Sequence, residues 1–474
     1  MGDINSMDGA HKPLQLTVGT GRCGPKTMRL REDKNAIESA GFYFPDHISF
    51  TPEFWGRYLW ESGALKAKNL FEARVKINKH EFTPEEKGMI RDSVFSLHPL
   101  LRRRLIIRSD EYAMGLGLAT SKCTSVPFES KKKGFDWDLL LERVEENIKN
   151  VLASGFNGNL MEFKRIKGIE ENMGIMIMPL FGEDIPLDPV NIKEPAYCPV
   201  LSINYLGKIY GKCLSSIGIG IGGANSNFGK HSFGLDVPFH DFFDFTPIHW
   251  RILLEESGTI KEMNIERYVD YLARIKSNTW DRLYPKMGME INKMIDKLIE
   301  KTGPRWLEIV KEDVLRPIWV VVQSSPFEYR EVEKPEVAED SLVLKSDRVL
   351  GSKIVKTRKV KIIYNLEKED NVEYNEKNKD YLLIVKPLLL RKLGELLPIE
   401  SFSNAGGIVC IINDIESPVG THLGGYFREL DIPIITFISS GEKIEERINN
   451  AGANAEYTLY ANEFKKEGFL AIDK

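Results

Sequence analysis

The chain has 474 residues, a formal net charge of −4, 42% hydrophobic and 28% charged residues. That length exceeds a single core and predicts two or three domains, with the composition of an ordinary soluble globular protein. The mild negative balance argues against nucleic acid as the main partner, because backbone phosphates demand a basic surface. No apolar run approaches the roughly 20 residues that span a bilayer, so no membrane partner is expected. The first residues, MGDINSMDGAHK, are polar and show no signal-peptide segment. Five cysteines are scattered through the chain with no Cys-x-x-Cys pair. They indicate neither a disulfide framework nor a zinc site, and a reducing cytoplasm is the expected location.

Leu14 to Val18 reads as a short strand leading into Gly19-Thr-Gly-Arg-Cys-Gly-Pro-Lys26. Glycines followed by lysine suit backbone amides and an ammonium gathered around phosphate, or an ordinary tight loop; the spacing is not that of a Walker A loop. Residues 27–40 are helix-like, and Ile48 to Thr51 suggests a strand. An aromatic helix through Trp55, Tyr58 and Trp60 is expected to face the core. Leu105 to Asp110 reads as a strand whose end carries Arg108, a cation suited to gripping phosphate oxygens or to a surface ion pair. Gly115 to Ser121 is a small-residue stretch open to reading as a lid or as a hairpin. Gly174 to Leu180, with Met176 and Met178, reads as a buried strand, and Val200 to Tyr205 as another.

Residues 216–223 alternate glycine with serine and isoleucine and are read as a glycine-rich turn, structural or beside phosphate, because no dinucleotide-binding context follows. His240, Asp244 and His249 lack the spacing of any familiar metal motif. Residues 259–302 predict at least two helices ending at Thr302-Gly303-Pro304. Trp306-Leu-Glu308 and Ile318 to Pro326 predict two strands. Residues 331–339 are charged and contain a proline, the composition of a solvated linker. Further strands are expected at Val360–Tyr364 and Tyr381–Lys386.

The run Ala405 to Pro433 opens with a buried-strand pattern and continues through a polar turn to Thr421-His422, a short amphipathic helix and a second apolar strand. A histidine at a strand-to-helix turn titrates near neutrality, is nucleophilic when neutral and sits where a helix N-terminus favours a phosphoryl group. Capping the helix is the plainer alternative.

Taken together, Gly24-Pro-Lys26, the Ala-Gly-x-x-x-Pro block at 40–45, Ile107-Arg-Ser109, Glu308, Gln323 and the string Gly420-Thr-His422…Arg428-Glu-Leu-Asp-Ile-Pro433 resemble one family. It comprises pyruvate, phosphate dikinase, phosphoenolpyruvate synthase and rifampin phosphotransferase. The resemblance implies an α/β protein with an ATP-grasp nucleotide-binding domain at 12–330, carrying a helical insertion near 240–302. A linker at 331–345 and a swivelling β/β/α phosphohistidine domain at 346–474 would follow. It assigns ATP phosphate contacts to Lys26 and Arg108, adenine contact to the strand of Met176 and Met178, and Mg²⁺ on the nucleotide to Glu308 and Gln323, with Glu312 or Asp313 as alternatives to that pairing. His422, flanked by Thr421, becomes the phosphoryl carrier. The sequence departs from the family at Pro25, Thr27 and Asp110, at Thr421, at Asp431 where the family string has glycine, and at Ser325 where the family has arginine. The pyruvate-binding barrel has no counterpart here.

The expectation is therefore an ATP-dependent phosphotransferase that passes a phosphoryl group from His422 to a small-molecule acceptor, bound by this chain or by a partner subunit; a homo-oligomer is the alternative to a separate partner subunit. A noncatalytic nucleotide-binding regulatory or scaffold subunit is the runner-up. A ligase-type ATP-grasp enzyme that leaves His422 unused is the third reading.

Overall fold

The computed structural model describes residues 13–98, 104–111, 122–125, 136–156, 173–181, 201–209, 212–219, 281–312, 318–326, 332–338, 341–346, 348–363, 381–385, 405–412, 430–438, 455–462 and 467–473, with a few single positions between them. The protein is mixed α/β and divides into two compact units. The first is residues 1–327 less 209–216 and 235–242; the second is 328–474 together with those two short segments. Among the described residues, no helix is long and apolar enough to cross a membrane.

The first unit contains the strands β1 (Gln15–Val18), β2 (His47–Phe50), β3 (Arg104–Asp110), β4 (Lys122–Ser125) and β5 (Gly174–Pro179). They form one sheet in the order β1-β2-β5-β3-β4, parallel only between β1 and β2. Its helices are α1 (Pro25–Glu32), α2 (Lys34–Ala40), α3 (Pro52–Glu61), α4 (Leu70–Lys79), α5 (Pro84–Ser96) and α6 (Trp137–Ser154). Several starts follow from local chemistry. Proline opens α1, α3 and α5, where a missing N–H costs nothing. Thr51 and Thr83 cap α3 and α5, and Thr83 with Glu86 completes a reciprocal capping box.

Alternation along the strands sends their side chains to two different environments. Ile48, Phe50, Leu105, Ile107, Ile175 and Ile177 share one core with Trp55, Tyr58, Ile77, Ile90, Val94, Leu140, Val144 and Ile148 from α3 to α6. The intervening positions Ser49, Arg108, Asp110, Met176 and Met178 therefore belong to the opposite face of the sheet. The aromatic helix only partly meets its expectation. Trp55 and Tyr58 are buried, but Trp60 is 57% exposed, with the Lys66 ammonium 3.8 Å from its ring centroid. The reason is helical period: Trp55 and Tyr58 are three apart and share a face, whereas Trp60 lies five beyond Trp55 and turns away.

A second sheet in the first part of the chain has the order β7-β6-β8-β9, built from β6 (Leu201–Ile209), β7 (Lys212–Ile219), β8 (Arg305–Glu312) and β9 (Ile318–Pro326). The glycine-rich turn expected at 216–223 is corrected over its first half: 216–219 continue strand β7. A hairpin partner supplies the ladder that turns the alternating Ser-Ile-Gly-Ile pattern into strand. Helix α7 (Asp281–Thr302) precedes β8 and ends where expected, at Gly303 with φ of +73°.

The second unit holds two further sheets. One, in the order β10-β18-β17-β12, joins Leu342–Ser346 (β10), Ser352–Thr357 (β12), Glu456–Asn462 (β17) and Glu467–Asp473 (β18), all antiparallel. The other, in the order β11-β16-β15-β14-β13, joins Arg348–Leu350 (β11), Lys359–Ile363 (β13), Tyr381–Val385 (β14), Ala405–Ile412 (β15) and Ile434–Ile438 (β16). Strands β13 to β16 run parallel. Leu344, Tyr457, Leu459, Leu470 and Ile472 of the first share one core with Leu382, Ile384, Val409, Ile435 and Phe437 of the second. The linker expected at 331–345 differs in two ways. Its last residues enter β10, and Val332 and Val337 pack against Tyr460, Phe469 and Ala471. Apolar side chains spaced among the charges give the segment a face to bury.

Substituting Trp55→Ala is expected to cost about 3–5 kcal/mol, the scale of an emptied aromatic core site, and Trp60→Ala less than about 1 kcal/mol. Urea unfolding followed by far-ultraviolet circular dichroism checks the difference.

Candidate functional site

Arg108 is the centre of the site. It sits on β3 opposite Met176 of β5, which in turn lies opposite Ser49 of β2. Its guanidinium is 3% exposed. Nη2 donates to Glu308 Oε2 at 2.6 Å and to Gln323 Oε1 at 2.7 Å, and Nη1 donates to the Val322 carbonyl at 3.2 Å. Among the described residues, Nε has no hydrogen-bond partner. A buried guanidinium is tolerable only with a counter-ion and good acceptors, and Glu308, itself buried, supplies the charge.

Glu308 and Gln323 are direct cross-strand partners in the β8–β9 ladder. Gln323 is the register partner of Glu308, whereas Glu312 pairs with Ile318; Asp313 lies outside the described residues. The register shifts by one residue just beyond Glu308, where Ile309 pairs with Val321. Val322 is thus the extra residue of a β-bulge. Two consequences converge on Arg108. The Val322 carbonyl accepts from it, and the break in alternation lets Val322 pack with Met176 and Met178 while the adjacent Gln323 also reaches the guanidinium. In an unbroken strand those neighbours would face opposite sides.

Met176 and Met178 are buried and form a small apolar cluster with Phe181, Val320 and Val322, against which Tyr43 and Ile106 pack. Tyr43 also meets Phe181 edge-on, with ring centroids 5.9 Å apart. The two methionines therefore line the same side of the sheet as Arg108.

Lys26, the second residue of α1, is buried beside the end of β3. Its ammonium donates to the Ser109 carbonyl at 2.8 Å and lies 3.3 Å from Ser109 Oγ. Burial, reinforced by the Arg108 charge, lowers its pKa to about 8. The next residues were not expected to matter. Asp110, fully buried, accepts at Oδ1 from the backbone amides of Lys26 at 2.9 Å and Thr27 at 3.1 Å. Its Oδ2 accepts from the Thr27 hydroxyl at 2.5 Å and lies 3.4 Å from Ser49 Oγ. Glu111 is buried, held 3.3 Å from Lys164 Nζ, and burial raises its carboxyl pKa. Arg108 and Asp110 are two apart on one strand, so the alternation of β3 was the available signal for Asp110.

A second polar group lies on β1 and β2. Arg31 Nε donates to His47 Nε2 at 2.9 Å, and Arg31 Nη1 donates to Thr17 Oγ1 at 2.8 Å and to Cys23 Sγ at 3.2 Å. Because Nε2 accepts, the His47 proton resides on Nδ1, facing the Pro45 carbonyl at 3.1 Å. Burial lowers the His47 pKa to about 4, so the ring is neutral.

The glycines of the 19–24 loop are accounted for by close neighbours. A Cβ at Gly21, where φ is +87°, would stand 2.5 Å from the Glu53 carboxylate, and one at Gly24 would stand 2.3 Å from the Asp110 carbonyl. Both positions are thus closely packed in this structure.

As for cation binding, Glu308 and Gln323 present one carboxylate and one amide oxygen toward the same guanidinium nitrogen. Both are hard oxygen donors of the kind that suit Mg²⁺. Among the described residues, no group of three or more His, Cys, Asp or Glu side chains is placed to hold a metal. Thr421 and His422 lie outside the described residues, as do the 115–121 stretch and His240, Asp244 and His249. No protein-family model matches the chain, and no curated protein matches it.

Replacing Glu308 by leucine leaves Arg108 buried without its counter-charge and is expected to destabilise the protein by about 3–5 kcal/mol; the Arg108→Met/Glu308→Leu double variant recovers much of that loss. Equilibrium unfolding of the four proteins measures the coupling. Lys26 adds a pH signature. Its folded pKa is about 8, against the ordinary lysine value of 10.5. Below pH 8 both states bind the proton and the burial cost is fully present. Between about 8 and 10.5 only the unfolded state holds it, so this group's contribution to stability rises with pH by up to on the order of 3 kcal/mol. The stability difference between wild type and Lys26→Met should shift in the wild type's favour across that window.

Proposed function

We propose that the protein is an ATP-dependent phosphotransferase, in which an ATP-grasp first unit binds nucleotide and a swivelling second unit carries the phosphoryl group on His422. The observation that carries this reading is the meeting of Arg108, Glu308 and Gln323. Glu308 and Gln323 lie 200 and 215 positions beyond Arg108 in sequence, and the three share one buried cluster. A guanidinium whose buried Nε has no acceptor among the described residues is the kind of donor a ligand oxygen would satisfy. The second unit adds a smaller point. Asp431 has φ of +58°, a left-handed backbone position, where the family string has glycine.

In this reading Arg108 and Lys26 fix the phosphate oxygens and offset charge that builds during transfer. The apolar cluster of Met176, Met178 and Phe181 offers a wall for the base. Glu308 and Gln323 would hold Mg²⁺, which supplies charge neutralisation on the phosphates when bound. His422 Nε2, neutral, attacks the phosphorus; the N–P bond forms as the bond to the leaving nucleotide oxygen breaks, and the electron pair departs on that oxygen. Family resemblance implies attack at the β-phosphorus with AMP as the leaving nucleotide, so the histidine first receives the β- and γ-phosphoryl groups together; the γ-phosphoryl group then passes to water, and the β-phosphoryl group stays on Nε2. The phosphorylated histidine then donates to a small-molecule acceptor, bound by this chain or by a partner subunit. Covalent relay divides one transfer into two and keeps water from the β-phosphoryl group.

A noncatalytic nucleotide-binding subunit is favoured by one specific feature: Ser325, where the family has arginine, is buried at 1% exposure. No cation stands at that position.

Incubation with ATP labelled at the β position is expected to give acid-labile, base-stable label on the protein and to release AMP. His422→Ala should lose the label and Arg108→Met should reduce it by about 10²-fold or more. Label retained in His422→Ala overturns the relay. Nucleotide binding without any label in wild type selects the noncatalytic reading.

A further inference from the structure

The three most exposed large apolar side chains among the described residues are Phe71 at 76%, Trp60 at 57% and Leu65 at 45%, and all three fall between residues 60 and 71. Single exposed apolar residues are ordinary, but a concentration of them marks an interaction site. Leu65 sits in a single 3₁₀ turn, Ala64–Lys66, that packs against both α3 and α4. Helical period explains why α4 leaves Phe71 outside. Its core side carries Ala73 and Ile77, and Phe71 lies about 200° around the helix from Ala73. Val75 and Lys79 follow Phe71 at four-residue spacing, on its side of the helix. There a groove of about 520 Å³ is lined by Phe71, Val75, Lys76 and Lys79, together with Ser62 at the end of α3 and Asn69 at the start of α4. Its frame is fixed. Asn69 accepts from the Glu72 amide at 2.9 Å, Lys76 Nζ donates to the Gly63 carbonyl at 3.5 Å, and the Tyr58 hydroxyl reaches the Ile77 carbonyl at 2.8 Å. A surface ordered in advance loses little freedom when a partner binds.

Charge says what covers it. The chain carries a net −4, yet residues 57–80 hold six lysines and arginines against two glutamates. Both glutamates are taken, Glu61 by Arg57 at 2.8 Å and Glu72, which also lines the groove, by Lys76 at 2.8 Å. Lys66, Lys68, Arg74 and Lys79 are exposed and have no carboxylate partner among the described residues. We propose that this corner of α3 and α4 is a docking surface for an acidic, amphipathic segment of a partner protein. One apolar side chain of that segment enters the groove against Phe71 and Val75, and carboxylates flanking it meet the unpaired cations. The concavity favours such a segment over a lipid surface, which is flat and offers no side chain to fill a groove. The site is separate from the Arg108 cluster, and the proposal is independent of the nucleotide reading.

The test uses the full chain and a labelled synthetic helical peptide of roughly five turns, with leucine and phenylalanine along one side and glutamate elsewhere. A second peptide carries lysine at every glutamate position. Fluorescence anisotropy is expected to show the acidic peptide binding at least about tenfold more tightly than the basic one, with the difference shrinking as salt rises from about 0.1 M to about 1 M. Phe71→Ser and Lys79→Glu should each weaken the acidic peptide by about tenfold, the loss of a central contact. Met161→Ser, at an exposed apolar residue elsewhere, should leave it unchanged. Circular dichroism melting establishes that each variant is folded; Phe71 and Lys79 are exposed, so both variants are expected to fold. Equal binding of the two peptides, or binding that neither variant weakens, overturns the proposal. So does the absence of peptide binding when phosphatidylserine vesicles or a single-stranded oligonucleotide bind wild type and fail to bind the variants. A wild-type dimer in sedimentation that Phe71→Ser converts to monomer assigns the surface to a second copy of the chain and overturns the separate partner.

Discussion

The buried Arg108 guanidinium is the constraint around which the first unit is arranged. Removing a guanidinium from water is costly and becomes tolerable only when carboxylate and carbonyl acceptors surround it. Those acceptors come from the other sheet, at Glu308, Val322 and Gln323. The ion pair therefore fixes where β8 and β9 stand against β3. The apolar cluster of Met176, Met178, Val320 and Val322 then fills the space next to it. Hydrophobic contact is nondirectional and would permit neighbouring registers. Short hydrogen bonds to three named acceptors do not.

Much of this architecture is legible from residue order. Apolar runs mark β3 and β5, and prolines and threonines mark the starts of α3 and α5. What alternation misses is instructive. A strict strand would separate Val322 from Gln323, and only the bulge brings both to Arg108. Residues 216–219 look like a turn because glycine is common in turns, yet a hairpin partner makes them strand. Trp60 belongs to an aromatic cluster in sequence but not to the helix face of Trp55 and Tyr58. The meeting of Arg108 with Glu308 and Gln323 has no local signature at all; it was reachable only through family resemblance. Asp110 was visible as a departure from that family, and its role as a remote helix cap depends on two segments meeting in space. His422, on which the catalytic expectation turns, is outside the described residues.

The second unit reaches its stability by a different route. Two sheets, one antiparallel and one mostly parallel, bury their facing side chains in a common core. Parallel strands β14 and β15 are correspondingly apolar along their lengths, as doubly covered strands must be. The segment expected to be a free linker contributes to this unit instead. Val332 and Val337 lie on Tyr460 and Phe469, and Lys334 pairs with Glu467.

The long reach of the Arg108 ion pair also bears on how the protein is made. Its carboxylate partner lies 200 residues downstream and its amide partner 215. At a synthesis rate of roughly 5–20 residues per second, the arginine leaves the ribosome about 10–40 s before either exists. During that interval the nascent first sheet carries a cation on the face that will later be buried, and water must stay with it. Early collapse of that face onto the wrong surface is thereby disfavoured, so the same charge that closes the finished site keeps the unfinished one open.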